Sequence, residues 1–180
     1  MSLASWVGSR ADRPLVAGIA FAASALAYTA AYVRFVSPYG LFVVSASVLA
    51  VSATLGAFVS GVVVWRYPLS WTDGRSYRAY GLMGLLVGSL TLVVAPPLAI
   101  LGMTLPQAGG YSADVSLVTP IIVAGYLINA VAWGLVGTFV ALVATLGTPM
   151  VVTTAVGLGL GYLRRRHDEA PAASAAESPQ

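Results

Sequence analysis

The sequence contains no cysteine, which removes disulfides, thiolate metal ligands and cysteine nucleophiles together. Lysine is absent as well, and all nine basic residues are Arg. Histidine occurs once, as His167 in a charged tail, the setting of a solvated side chain rather than a ligand. The six acids are Asp12, Asp73, Asp114, Asp168, Glu169 and Glu177, and each falls outside the apolar stretches of the chain. The interior of those stretches therefore lacks the ionisable residues that mark proton relays, ion sites and catalysis in membranes.

These gaps narrow the chemistry. A serine mechanism needs a base beside its nucleophile. Ser60, in Phe58-Val59-Ser60-Gly61, shares its stretch with no histidine. Clustered His, Cys or carboxylate ligands for a metal are missing. The alternating run Gly157-Leu158-Gly159-Leu160-Gly161 neither follows a strand nor opens a nucleotide-binding unit, and close helix packing accounts for it better than a phosphate loop. No basic stripe interleaved with aromatics suggests a nucleic-acid partner. The sequence thus nominates no catalytic, cofactor-binding or metal-ligating residue, and an enzyme is not the expected class.

What is present is apolar surface. Hydrophobic residues make up 58% of the chain and charged residues 8%, where soluble domains carry about 25% charged residues. So few charges cannot cover a solvated fold, and the apolar side chains are expected to face lipid. Three stretches, Leu15 to Val33, Leu41 to Trp65 and Gly81 to Leu105, reach the ~18–20 residues that a helix needs to cross the hydrocarbon layer. The expectation is an all-α, multi-pass transmembrane helical bundle.

The fourth apolar stretch, Val118 to Leu163, is too long for one straight crossing, at about 69 Å. Leu146-Gly147-Thr148-Pro149 supplies a break, because Pro149 lacks a backbone donor and crowds the preceding turn. The segment after it, 148–163, spans only about 24 Å as a helix. Charge decides its role, since Arg resists translocation and favours cytoplasmic loops. With four spans and both ends inside, Arg10, Arg13, Arg66, Arg75, Arg78, Arg164, Arg165 and Arg166 lie inside, and Arg34 alone lies outside. Five spans divide the Arg almost evenly. The reading is therefore four spans (15–33, 41–65, 81–105 and 118–145), with 148–163 a kinked or re-entrant last element, and five spans as the alternative. Residues 1–14 form a cytoplasmic amino-terminal segment and 164–180 a disordered cytoplasmic tail. Ala25-Leu26-Ala27 resembles a signal-peptide cleavage site, but the apolar run continues past it to Val33, long enough to stay as an anchor.

Patterning within the stretches predicts packing. In 41–65, Val44, Val48, Val51, Leu55, Phe58 and Val62 share one face, expected toward lipid. Ala46, Ala50, Ala53, Ala57 and Gly61, with Ser45, Ser52, Gly56 and Ser60 beside them, are expected inward, because small residues let helices approach closely in lipid. Gly81, Gly84, Gly88, Thr91 and Ala95 repeat the device and should receive the preceding helix. Pro96 and Pro97 predict a kink. Asn129, on a row with Gly125, Trp133, Gly137, Ala141 and Thr145, should face the bundle or a second subunit, because a buried amide needs partners.

The expected function is that of a non-catalytic structural or accessory protein of the cell membrane, acting through helix–helix contacts. Its partners would be the lipid bilayer, further copies of itself or other membrane proteins, with no cofactor. The alternative is a transporter or channel component for a neutral or apolar solute, its pathway lined by Ser45, Ser52, Ser60, Thr91 and Asn129.

Overall fold

The computed structural model describes residues 3–35, 45–67, 76–108 and 118–176. Within them the chain is a bundle of α-helices: α1 (Leu3–Gly8), α2 (Pro14–Phe35), α3 (Ala46–Arg66), α4 (Tyr77–Ala108), α5 (Val118–Thr145) and α6 (Thr148–Ala176). Four segments are long and apolar enough to cross a bilayer: Pro14–Phe35, Ala46–Arg66, Tyr77–Thr104 and Val123–Thr145. They match the four expected spans to within a few residues. Asp73-Gly74, a pair whose composition suits the turn of the loop before α4, lies outside the described residues.

Helices α2, α3 and α4 pack in succession. Gly18 and Gly61 bring the backbones of α2 and α3 together, such that a methyl added at Gly61 would lie 3.0 Å from Gly18 Cα. Gly56 of α3 meets Ala95 of α4 at 3.3 Å in the same sense. The buried face of α3 consists of Ser52, Gly56, Ala57, Ser60, Gly61 and Trp65, and Val51, Leu55, Val59 and Val63 are exposed. The division by size holds from Ser52 on, with the boundary shifted: Val48, Phe58 and Val62 are half-buried, and Phe58 and Val62 stand over Gly18. Ser45 and Ala46 at the start of the helix are exposed rather than inward, and Val44 lies outside the described residues.

Of the stripe on α4, Ala95 receives α3 as expected, but Gly81, Gly84 and Gly88 do not. They seat α6. A methyl at Gly84 would run into the Thr153 carbonyl and lie 2.9 Å from Thr154 Cα, and one at Gly88 would lie 2.9 Å from Met150 Cα. On the α6 side, Gly157 lies against Tyr80 and Gly84, and Gly161 against the Tyr80 ring. A glycine stripe reports a close approach, not the identity of the approaching helix; α3 reaches α4 through Ala95 instead.

These pairings fix the course of the last element. Along α5, Gly134 lies at Pro97 and Gly137 at Pro96, with Thr138 at Leu92. Along α6, Met150 lies at Gly88, Thr153 at Gly84 and Gly161 at Tyr80. Both helices therefore run antiparallel to α4, α5 beside its later half and α6 beside its first half. The chain passes α4 once, in two pieces, and α6 does not fold back against α5 as five spans would require. The break falls at Leu146 and Gly147, with φ of 50° and 70°, a left-handed pair that closes a helix. Pro149 then sits in the first turn of α6, where its missing donor is not needed.

Two further differences concern α4 and α6. Helix α4 runs on to Ala108, three residues past the expected span, and stays helical through Pro96 and Pro97. Rather than ending near Arg164, α6 runs on to Ala176, where the sequence reading placed a disordered tail. Ion pairs one turn apart, Arg164–Asp168 and Arg165–Glu169, support a helix of this kind.

Candidate functional site

Among the described residues, a cluster of polar contacts lies at one end of the bundle. The start of α2, the end of α3, the start of α4 and the later half of α6 meet there, and α1 packs on α6. Tyr80 donates its hydroxyl to Asp12 Oδ1 at 2.5 Å. Arg164 reaches Asp12 Oδ2 at 3.3 Å and Asp168 at 3.2 Å. Trp65 donates its indole N–H to the carbonyl of Ala11 at 2.9 Å. Asp12 thus collects contacts from α4 and α6, and Ala11 beside it ties the same segment to α3.

An aromatic row supports this latch. Trp65 lies edge-on between Phe21 and Tyr80, with ring centroids 5.4 Å and 5.9 Å away. Such pairs add to the burial of the rings and place the Trp65 and Tyr80 polar atoms toward the bundle end. Arg10 stands over the Trp6 ring at 4.6 Å, and its Nη1 is buried without a hydrogen-bond partner among the described residues. The ring face supplies the attraction that a carboxylate supplies for Arg164.

Beside the latch, between the first turn of α4 and the later half of α6, runs a groove lined by Tyr77, Tyr162, Arg165, Arg166 and Glu169. Arg165 donates from Nε to Glu169 at 2.7 Å, and that bond raises its pKa above the ordinary arginine value. Arg166 is exposed and makes no ion pair among the described residues. Ser76 caps α4 by accepting from the backbone N–H of Ala79 at 3.2 Å, so the groove opens near the positive end of that helix.

The residues proposed from sequence as a polar pathway are not gathered in one place. Ser45 accepts from Val48 N–H and caps α3. Ser52 and Thr91 are buried but donate to their own helices, at Leu49 and Val87. Ser60 is fully buried and its hydroxyl has no partner among the described residues. Asn129 is exposed on α5, away from the face of Ala130 and Gly134 that is buried, and so it does not face its own bundle. His167 is exposed. Among the described residues no group of three or more His, Cys, Asp or Glu is placed to hold a metal.

Sequence reasoning missed the latch. Asp12 and Tyr80 are 68 residues apart, and no local spacing connects them. The available signal was a lone acid among Arg10 and Arg13 at the entry to a span, which calls for a cationic or hydroxyl partner. Comparison with protein-family models, curated proteins and solved structures finds no match.

Proposed function

We propose that the chain is an integral membrane protein that crosses the bilayer four times with both termini in the cytoplasm. In this reading it has no chemistry of its own and acts as a structural or accessory component through helix contacts within the bilayer. The orientation follows from charge: Arg10, Arg13, Arg66, Arg78, Arg164, Arg165 and Arg166 lie on segments that converge at the latch end, and Arg34 closes α2 at the other. Positive side chains resist translocation, so the latch end is the cytoplasmic one.

The observation that carries the accessory role is the exposure of α5. Only 11% of its span is buried, against 22–33% for the other three, and its main packing partner is α4. Ile128, Trp133, Leu135 and Phe139 are all more than half exposed, and Asn129 stands among them. Lipid alone satisfies the aliphatic groups, but an amide gains from a partner helix.

The test is disulfide cross-linking in native membranes of single cysteines placed at Ile128, Asn129, Val131, Trp133, Leu135 and Phe139. Helix contacts predict cross-links at positions three and four apart. No cross-link at any position, with all six labelled alike by a lipid-phase reagent, would contradict the accessory reading. The competing reading, a pathway for a neutral solute, draws on the unpartnered hydroxyl of Ser60. It predicts solute flux into reconstituted vesicles that Ser60→Ala alters.

A further inference from the structure

The groove between α4 and α6 has a composition that neither the bundle packing nor the latch uses. Two arginines and two tyrosines line it with a single carboxylate, Glu169, and Arg165 already neutralises that carboxylate. Binding of Glu169 through Nε leaves the terminal nitrogens of Arg165 outside that bond. Arg166 brings a whole guanidinium with no ion pair among the described residues. Tyr77 and Tyr162 are about half exposed, at 48% and 56%, and offer hydroxyl donors. The groove therefore presents donors in excess of acceptors.

Its depth is equally specific. Tyr77 opens α4, and Arg165 and Arg166 follow Leu163, the last residue of the 148–163 apolar segment. The groove thus sits where apolar surface gives way to charge, the level of lipid headgroups in the four-crossing reading on which this inference rests. Aromatic residues favour that level, and a helix start nearby favours an anion. A guanidinium fork matches the two free oxygens of a phosphodiester. Phosphatidylcholine shares that group, but its choline cation compensates the charge and opposes the arginines, so a headgroup of net negative charge is favoured.

We propose that this groove is a binding site for the phosphodiester of an anionic phospholipid of the cytoplasmic leaflet, held by Arg165 and Arg166 with Tyr77 and Tyr162. The lipid ties the start of α4 to the later half of α6, and so reinforces the closure made by Asp12, Tyr80 and Arg164. Ligands that bind the folded state alone raise its stability by mass action, which makes thermal denaturation the readout.

The full chain, extracted from membranes in a non-ionic detergent, is melted in the presence of short-chain phosphatidylglycerol, phosphatidylcholine with the same acyl chains, or inorganic phosphate. The expected result is a Tm that rises with phosphatidylglycerol and stays unchanged with the other two. Arg166→Ala should at least halve that rise and the Arg165→Ala/Arg166→Ala double variant should abolish it. Both side chains are exposed, so neither change threatens folding, and Arg34→Ala at the opposite end should leave the rise intact. An equal rise with phosphatidylcholine, or a full rise in the double variant, overturns the site. An equal rise with inorganic phosphate overturns the lipid assignment in favour of a soluble anion. Recovery of the chain without detergent would instead refute the four-crossing reading itself.

Discussion

The hydroxyl of Thr138 on α5 lies 3.0 Å from the carbonyl oxygen of Leu92 on α4 and donates to it. Leu92 stands four residues before Pro96, whose missing N–H would otherwise have bonded that carbonyl. A side chain from the neighbouring helix thus satisfies what proline leaves open, the condition under which membrane helices tolerate proline. The same hydroxyl lies 2.9 Å from the Gly134 carbonyl of its own helix, and Gly134 is where Pro97 docks.

Thr138→Val should therefore lower the stability of the bundle by about 1 kcal/mol, measured by unfolding in mixed micelles. Thr138→Ser should keep most of it. In the Thr138→Val background, Pro96→Ala should cost less than it does alone, because an alanine N–H can bond Leu92 from within α4. Additive effects of the two changes would show that the hydroxyl and the proline are not coupled.

The glycine run of α6 separates by position. A methyl at Gly157 would collide with the Tyr80 carbonyl and crowd the Gly84 backbone, and one at Gly159 would meet nothing within 4 Å. Backbone cannot yield as a flexible side chain does, so Gly157→Ala should destabilise by about 1–3 kcal/mol. Gly159→Ala should be neutral or stabilise by up to about 1 kcal/mol through helix propensity. Equal losses at both positions would mean that α6 does not rest on α4 by this face.

At the latch, Tyr80→Phe should cost about 1.5 kcal/mol, the lower end for a hydrogen bond to a charged group, because Asp12 is partly exposed. Asp12→Ala should cost more, because Tyr80 and Arg164 both lose a partner. The double variant should be no worse than Asp12→Ala, since the Tyr80 hydroxyl then has nothing left to lose. Salt should weaken only the contribution of Arg164, whose pairing with a partly exposed Asp12 is screened.

Asn129→Leu should change the stability of the isolated chain in detergent by less than about 0.5 kcal/mol, as expected for an exposed side chain. A large loss would place the amide against its own bundle and contradict its position on α5.

The four long apolar helices were legible because composition and length mark them: 8% charged residues leave uninterrupted apolar runs of the length that a crossing helix needs. The break before Thr148 was legible from glycine and proline placed together. The small face of α3 followed from periodicity, since Ser52, Gly56 and Ser60 return to one side every four residues. What the pattern could not carry was partnership. Gly84 and Gly88 announce an approaching backbone without saying that it belongs to α6, more than 60 residues away. Asn129 was legible only in part, because an amide says that it needs a partner and not whether its own bundle or another chain supplies it, and α5 turns it away from its own bundle. The latch was invisible for the same reason, as Asp12, Tyr80 and Arg164 acquire meaning only when α2, α4 and α6 converge.

The central claim is that α5 and α6 make one crossing, which leaves both ends of the chain on the cytoplasmic side. Its most direct test is labelling from each face of the membrane of single cysteines introduced at Ser76, Ser112 and Ser174, in a sequence that supplies no competing thiol. The account predicts that Ser112→Cys labels from outside and that Ser76→Cys and Ser174→Cys label only from the cytoplasm. External labelling of Ser174→Cys would contradict it, because α6 would then have crossed the bilayer on its own.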